Sequence, residues 1–198
     1  MSRSPADTLA TLVLVKHALP VLDASKPARE WRLGTEGERQ ARKLAGAVCS
    51  FAPLRIIASP EPKAVSTATI VAAELGLHVS VIDALREFDR PVLPLLSKEE
   101  HARANEQIFV HLNRRVLGAE SGREALDRFA AAIDGAIAQT NAPSLVAITH
   151  GTVISLFVSA HNAIDAFTLW KRLECTSYVV LDVPSFMLRN VVIDASNA

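Results

Sequence analysis

LVLVKHALP, residues 12–20, decides how the rest of the chain is read. Its first four residues are all apolar, without the polar alternation of a strand that has one wet face. A strand covered on both sides is therefore expected. The run ends in Lys16 and His17, and Pro20 turns the chain away. A buried strand that releases a cation and an imidazole at its tip delivers them to the carboxyl edge of a sheet. What else arrives at that edge then decides their use.

Three more segments read as strands of the same kind: RIIA (55–58), HVSVI (78–82) and LVAIT (145–149). Helical patterns separate them. A helix is expected from Thr35, where Thr35 and Glu38 have capping-box spacing and Ala41, Leu44, Ala45 and Val48 share a face. Ser59 and Pro60 suit the start of a second helix that Gly76 ends. Capping boxes at Ser97/Glu100 and Ser121/Glu124 open two more, the second with Leu126, Phe129, Ala130, Ile133 and Ile137 facing inward. TVISLFVSAHNA, from Thr152, is apolar and helical in pattern. TSYVVLDV and FMLRNVVID, around Pro184-Ser185, read as an edge hairpin. Alternating strands and helices imply an α/β fold: a three-layer sandwich with a mostly parallel sheet flanked by helices. We read residues 1–198 as a single domain with a small helical insertion at about 91–118.

Composition excludes several classes. Apolar residues make up 49% of the 198, enough for a full core. Lysine plus arginine equals aspartate plus glutamate, 21 each, so no broad positive field exists for nucleic acid or a membrane surface. Cys49 and Cys175 are too few for a disulfide framework and are expected to be reduced core residues. The start MSRSPADTLA lacks a signal-peptide core, and no apolar run approaches the ~20 residues of a membrane span. A cytoplasmic protein is expected. The histidines lack metal-ligand spacing, so no metal is expected, and neither a dinucleotide fingerprint nor a P-loop motif occurs.

If the first four strands are parallel, their carboxyl ends bring together Lys16 and His17, then Ser59 and Lys63, then Arg86 and Glu87, then His150 and Gly151. Each has an ordinary alternative: a strand-end histidine is commonly a satisfied polar residue, a lysine a solvated side chain, and Glu87 in LREFDR one member of an exposed ion-pair cluster. Their joint placement on one edge argues otherwise. Two ammoniums and a helix amino end suit a phosphate dianion. A neutral imidazole can attack phosphorus, and a carboxylic acid can protonate a leaving alkoxide. His78, His101, His111 and His161 have no such placement and are read as structural or exposed.

On these residues the chain resembles the histidine phosphatase superfamily, also called phosphoglycerate-mutase-like. VKHALP stands at the family's R-H-G motif, LGTEGERQA (33–41) at L-T-x-x-G-x-x-Q-A, SPEPKAVSTA (59–68) at S-P-x-x-R-A-x-Q-T-A, LREF (85–88) at L-x-E, GAES (118–121) at G-x-E-S, and ITHGTVI (148–154) at the second histidine motif. The resemblance implies a metal-independent phosphatase that hydrolyses a phosphomonoester through a phosphohistidine at His17. Lys16, Lys63 and His150 would hold the phosphoryl oxygens and Glu87 would be the proton donor. Asp23 stands where many members place a phosphate-touching asparagine, and Ser59 and Gly151 complete the expected binding set. No cofactor is implied. The partner would be a small phosphorylated substrate or inorganic phosphate, with no nucleic acid and no membrane, and a homodimer is compatible. Both motif arginines are lysines in a chain with fifteen arginines and six lysines, and Ala18 replaces the motif glycine. A non-catalytic phosphate-binding relative and a phosphoglycerate-type mutase are the alternatives.

Overall fold

The computed structural model describes residues 10–89, 97–116, 118–140 and 142–195. The four expected strands form as β1 (Thr11–Lys16), β2 (Ile56–Ala58), β3 (Val79–Val81) and β4 (Ser144–Thr149), followed by the hairpin β5 (Tyr178–Asp182) and β6 (Leu188–Val192). Among the described residues they make one six-stranded sheet in the order β3-β2-β4-β1-β5-β6. Strands β1 to β4 are parallel, and β5 runs antiparallel to β1 and β6. The fold class is therefore the expected α/β sandwich with a hairpin at one edge.

Among the described residues, six α-helices flank the sheet: α1 (Thr35–Cys49), α2 (Pro62–Leu75), α3 (Lys98–Val110), α4 (Gly122–Ala138), α5 (Gly151–His161) and α6 (Ala166–Arg172). Side chains alternate across a strand, so each buried strand feeds two cores. Leu12 and Leu14 of β1 join Ile57, Leu145 and Ala147 against Phe129, Ile133, Val153 and Phe157 of α4 and α5. Val13 and Val15 join Ile56, Ala58, Val146 and Ile148 against Leu44, Val48, Ala64, Ala68 and Val71 of α1 and α2. Each buried Leu, Ile, Val or Phe contributes about 1.5–3 kcal/mol. These two layers hold the strand ends level, and the site depends on that.

Several helix boundaries differ from expectation. The N-cap of α1 is Gly34, with no side-chain cap, so Thr35 and Glu38 form no capping box; Glu38 N instead donates to the Gly34 carbonyl. The N-cap of α2 is Glu61 with Pro62 in the first turn, not Ser59 with Pro60, because Ser59 is engaged elsewhere. Both other capping boxes form as read, Ser97/Glu100 on α3 and Ser121/Glu124 on α4. The proline-containing stretch 90–96 and residue 117 of the insertion lie outside the described residues. Within the insertion, α3 buries Ile108 and sets Phe109 against Phe167 and Trp170 of α6, with ring centroids 6.1 and 6.4 Å apart. Helix α6, opened by Asp165 accepting from Thr168 N, was not anticipated; seven residues carry too few periods to register. Cys49 is exposed rather than in the core, since the last residue of α1 turns outward, and Cys175 is half-buried; both are free thiols. No described helix is long and apolar enough to cross a membrane.

Helix α1 does more than cover the sheet. Gln40 Oε1 accepts from Leu19 N at 3.0 Å, and a Cβ at Gly37 would stand 2.1 Å from the Leu19 carbonyl oxygen. Gly37 thus lets α1 press onto the loop that follows His17. Gly46, in the same helix, has no atom within 4 Å of a Cβ. Opposite effects are expected from one substitution at the two positions. Gly37→Ala should destabilise the protein by about 1–3 kcal/mol through overpacking. Gly46→Ala should stabilise it by about 0.5–1 kcal/mol through helix propensity. Urea unfolding of the two variants beside the parent measures both signs.

Candidate active site

Strand register assembles the site. Lys16 is level with Thr149 and Ala58 with Ile148, so the residues just beyond β1, β2 and β4 meet. His17 N donates to the Thr149 carbonyl and Ser59 N to the Ile148 carbonyl, which extends the ladder one step past the strands. The His17 and His150 rings meet edge to face with centroids 5.1 Å apart. Both are buried.

His17 is held in one tautomer. Its Nδ1 lies 2.8 Å from the Ala18 carbonyl oxygen, which can only accept, so Nδ1 carries the proton and Nε2 the lone pair. The Ala18 amide donates to Thr67 Oγ1, whose hydroxyl donates to the Lys63 carbonyl on α2. The ring is thereby tied to the helix that carries Lys63. Burial, then the neighbouring His150 and Lys63, push the His17 pKa well below its ordinary 6.5. Burial also depresses His150, to about 3; Glu87 opposes this, while Lys63, Lys16 and Arg128 add to it. Both imidazoles are neutral at pH 7.

His150 Nε2 is 2.7 Å from Ser59 Oγ and 3.4 Å from Glu61 Oε1, while its buried Nδ1 has no hydrogen-bond partner among the described residues. The Lys63 ammonium, 7% exposed, donates to the Ala28 carbonyl at 2.8 Å and forms an ion pair with Glu61 Oε2. Lys16 Nζ donates to the Leu173 carbonyl at 2.7 Å; its stem runs beside Gly151, where a Cβ would lie 3.6 Å from it. Glu87 stands at the amino end of α5. One carboxylate oxygen accepts from Phe88 N at 2.8 Å and the other from Thr152 N at 3.2 Å.

Seven of the eight expected residues thus converge: Lys16, His17, Ser59, Lys63, Glu87, His150 and Gly151. Asp23 does not join their hydrogen bonds. Its carboxylate is satisfied locally by Ser25 and by Lys26 at 2.9 Å, and these hold its pKa at about 2. A short-range turn with its own cation satisfies it. Trp170 Cδ1 lies 3.5 Å from the Gly151 Cβ position, and His101 packs on Trp170 at 5.5 Å. The amino-terminal half of α3 thereby reaches the Gly151 side of the site. No described group of three or more His, Cys, Asp or Glu is placed to hold a metal ion.

Two residues absent from the sequence-based set are central. Glu61 is a buried carboxylate bonded to Lys63, to Glu87 N at 2.8 Å and close to His150. In the sequence it reads as an exposed first-turn acid, favoured there by the helix dipole. Arg128 of α4 donates to the carbonyls of Ala84 and Arg86 and pairs with Glu120. Glu120 also accepts from Asp89 N. Together they clamp the loop that carries Glu87. The spacing of Glu120, Glu124 and Arg128 by four was the available signal.

The fold and this convergence define an α/β protein with a histidine pair at the carboxyl edge of its sheet. The chain belongs to the histidine phosphatase superfamily: the model of its branch 1 matches residues 12–187. It is 28% identical over 140 residues to the probable phosphoglycerate mutase GpmB of Salmonella paratyphi A, a match covering 68% of this chain and 65% of that relative's length. A mycobacterial glucosyl-3-phosphoglycerate phosphatase in complex with VO3 superposes with a TM-score of 0.74 at 19% identity, over 93% of this chain and 98% of that one. A phosphoglycerate mutase from Bacillus anthracis str. Sterne does so with 0.73 at 16%, over 98% and 97%. These likenesses establish the shared fold.

Two stability outcomes follow from the site. On unfolding, both imidazoles regain an ordinary affinity for protons, so the unfolded chain binds more protons than the folded one below about pH 6.5. Stability should fall with acidification from there, by up to about 1.4 kcal/mol per pH unit for each histidine. Thermal unfolding between about pH 7 and pH 5 should show this slope, and His150→Gln should reduce it. Arg128→Leu should cost about 3–5 kcal/mol, because it strands the buried Glu120. Arg128→Leu with Glu120→Leu should recover part of that in urea unfolding.

Proposed function

We propose that the protein is a metal-independent phosphatase that hydrolyses a phosphomonoester through a phosphohistidine on His17. The observation that carries this reading is the Nδ1 hydrogen bond to Ala18, which leaves the Nε2 lone pair on a neutral ring. Such a ring is a nucleophile as it stands and needs no separate base.

In the reaction, His17 Nε2 attacks phosphorus and the bond to the ester oxygen breaks. Glu87, as the acid, protonates the departing alkoxide. Glu87 then removes a proton from a water, whose oxygen attacks the phosphohistidine, releasing inorganic phosphate and restoring His17. His17 Nδ1 keeps its proton throughout and donates it to the Ala18 carbonyl, so the cationic phosphoimidazole keeps its partner. Lys16, Lys63 and the Ser59–His150 pair line the phosphoryl oxygens. Stabilising charge on those oxygens is the largest protein contribution to such transfers. Lysine in both motif positions keeps the charge but not the bidentate fork, so the phosphoryl group is oriented less firmly than an arginine pair would orient it. We read the working unit as one domain over 1–198, with α3 bordering the entrance through His101 and Trp170.

A second reading has support from one observation. Lys63 already has a carboxylate and a carbonyl as partners and Lys16 a carbonyl, an arrangement that suits a phosphate-binding relative with little turnover. One assay separates the two. With an aryl phosphate in excess chelator, the parent should release phosphate and form an acid-labile adduct. His17→Ala should form none, and Glu87→Gln should lower kcat by about a hundredfold to ten-thousandfold. Phosphate binding without turnover or adduct would select the second reading. Isomerisation of a phosphorylated substrate without phosphate release would select a mutase.

A further inference from the structure

Glu61 is unexpected where it stands. It is a carboxylate, 8% exposed, among the residues read as a phosphate site. It is not an accident of a loose side chain. Its Oε2 pairs with Lys63 from its own helix, its Oε1 accepts from Glu87 N beyond β3, and the same Oε1 is 3.4 Å from His150 Nε2 at the end of β4. The groups it touches on three elements belong to charged or titratable residues. Helix α2 presents Lys63, the loop after β3 presents Glu87, and β4 presents His150. The charges felt by the adjoining histidine pair include Lys16 at the end of β1 and Arg128 of α4, which is paired with Glu120.

The charges of this group balance. The ammoniums of Lys16 and Lys63 face the carboxylates of Glu61 and Glu87, and the two imidazoles are neutral. A dianion entering this site meets no surplus positive charge. If it takes Lys63 as its partner, it displaces Glu61 from its counter-ion and leaves two like charges together in a water-poor space. Like charges at such a distance cannot both persist, and the usual relief is protonation of one. Glu61 cannot swing into solvent without abandoning the Glu87 amide, which would loosen the very loop that positions Glu87.

We propose that Glu61 couples anion binding to the uptake of one proton: the incoming phosphoryl group takes over the Lys63 ammonium, and the Glu61 carboxylate binds a proton from solvent. Glu61 thus acts as an internal stand-in for the anion. It neutralises buried Lys63 in the empty pocket and becomes a neutral hydrogen-bonding acid in the filled one. The consequence is an affinity for phosphoryl anions that weakens as the pH rises. This inference rests on the reading of the pocket as a phosphoryl site.

Sulfate is the suitable probe, since it stays a dianion across the working range and any pH dependence then belongs to the protein. Calorimetric titration of the parent in buffers of different ionisation enthalpy should show uptake of about one proton at about pH 7.5, with affinity falling about tenfold per pH unit above the coupled pKa. Glu61→Gln, nearly isosteric, should take up none and should bind sulfate about tenfold or more tightly than the parent at that pH, the gap narrowing as the pH falls. Sulfate should also raise the Tm of Glu61→Gln by more than that of the parent, because it supplies the counter-ion that Lys63 has lost. An infrared difference spectrum on sulfate addition should contain a protonated-carboxyl band in the parent that is missing from Glu61→Gln. Equal uptake by parent and variant would assign the proton to Glu87 or an imidazole, and uptake without that band to an imidazole; either would overturn the proposal while leaving the pocket reading intact. Absence of sulfate and phosphate binding at any pH, in the parent and in Glu61→Gln alike, would instead overturn the pocket reading. Glu61→Leu, which removes the polar group altogether, should reproduce the tighter binding and checks that the glutamine amide is not its source.

Discussion

The parallel pairing of β1 with β4 is the constraint on which the rest depends. Its register sets Lys16 beside Thr149, and β2 joins β4 with Ala58 beside Ile148. Because the strands run the same way, all their carboxyl ends fall on one edge, and His17 and His150 come within ring contact although 133 positions separate them. A one-residue slip of β1 would exchange the face of every side chain along it, putting Leu12 and Leu14 where Val13 and Val15 now pack. Two fully apolar cores, one on each face, penalise any such slip. The geometry of the site is therefore a by-product of hydrophobic burial on the two sides of a sheet.

On this scaffold the polar groups are arranged so that few buried charges lack a partner. Arg128 and Glu120 pair with each other and hold the carbonyls and amide of the loop around Glu87. Glu87 is itself pinned through two backbone amides, and its own amide leads to Glu61, then Lys63. The chain of contacts runs from α4 through the loop to α2 without a break. Removing one partner leaves an uncompensated charge, which is why such networks rigidify a site even where they add little net stability. The lysines of this chain fit the arrangement. A compact ammonium can sit between a carboxylate and a carbonyl, as Lys63 does, where a planar guanidinium fork would demand more acceptors in one plane.

The chain belongs to the histidine phosphatase superfamily, and its fold is shared by a phosphatase and a phosphoglycerate mutase of known structure. The fold alone does not choose between those activities, since one scaffold hosts several chemistries and the site decides. What bears on that choice is local: Lys16 and Lys63 beside the histidine pair, Ala18 after His17, and Glu61 buried against Lys63 and His150. Ala18 is fully buried and donates its amide to Thr67, which fits it closely to α2.

By itself the sequence determined the order of the strands and of every helix but α6, the mostly parallel sheet, the edge hairpin and, of the eight residues expected at the site, the seven that the fold brings together. Those features are written in short-range signals: uninterrupted apolar runs, a glycine that stops α2, capping boxes at Ser97 and Ser121, and polar residues placed just past a buried strand. Only the tertiary structure decided the rest. Thr35 and Ser59 look like caps in sequence, yet Gly34 and Glu61 take those places, because Ser59 is drawn to His150. Asp23 was matched to the site by alignment with a motif but satisfies itself on Ser25 and Lys26. Glu61 and Arg128 look like ordinary helix-surface charges. Their roles come from partners 26 to 89 positions away, at Glu87, His150 and the loop around residue 86. A local pattern can report which face of a strand is apolar, but it carries no information on which distant charge will be buried beside it, and that pairing is settled only when the sheet closes.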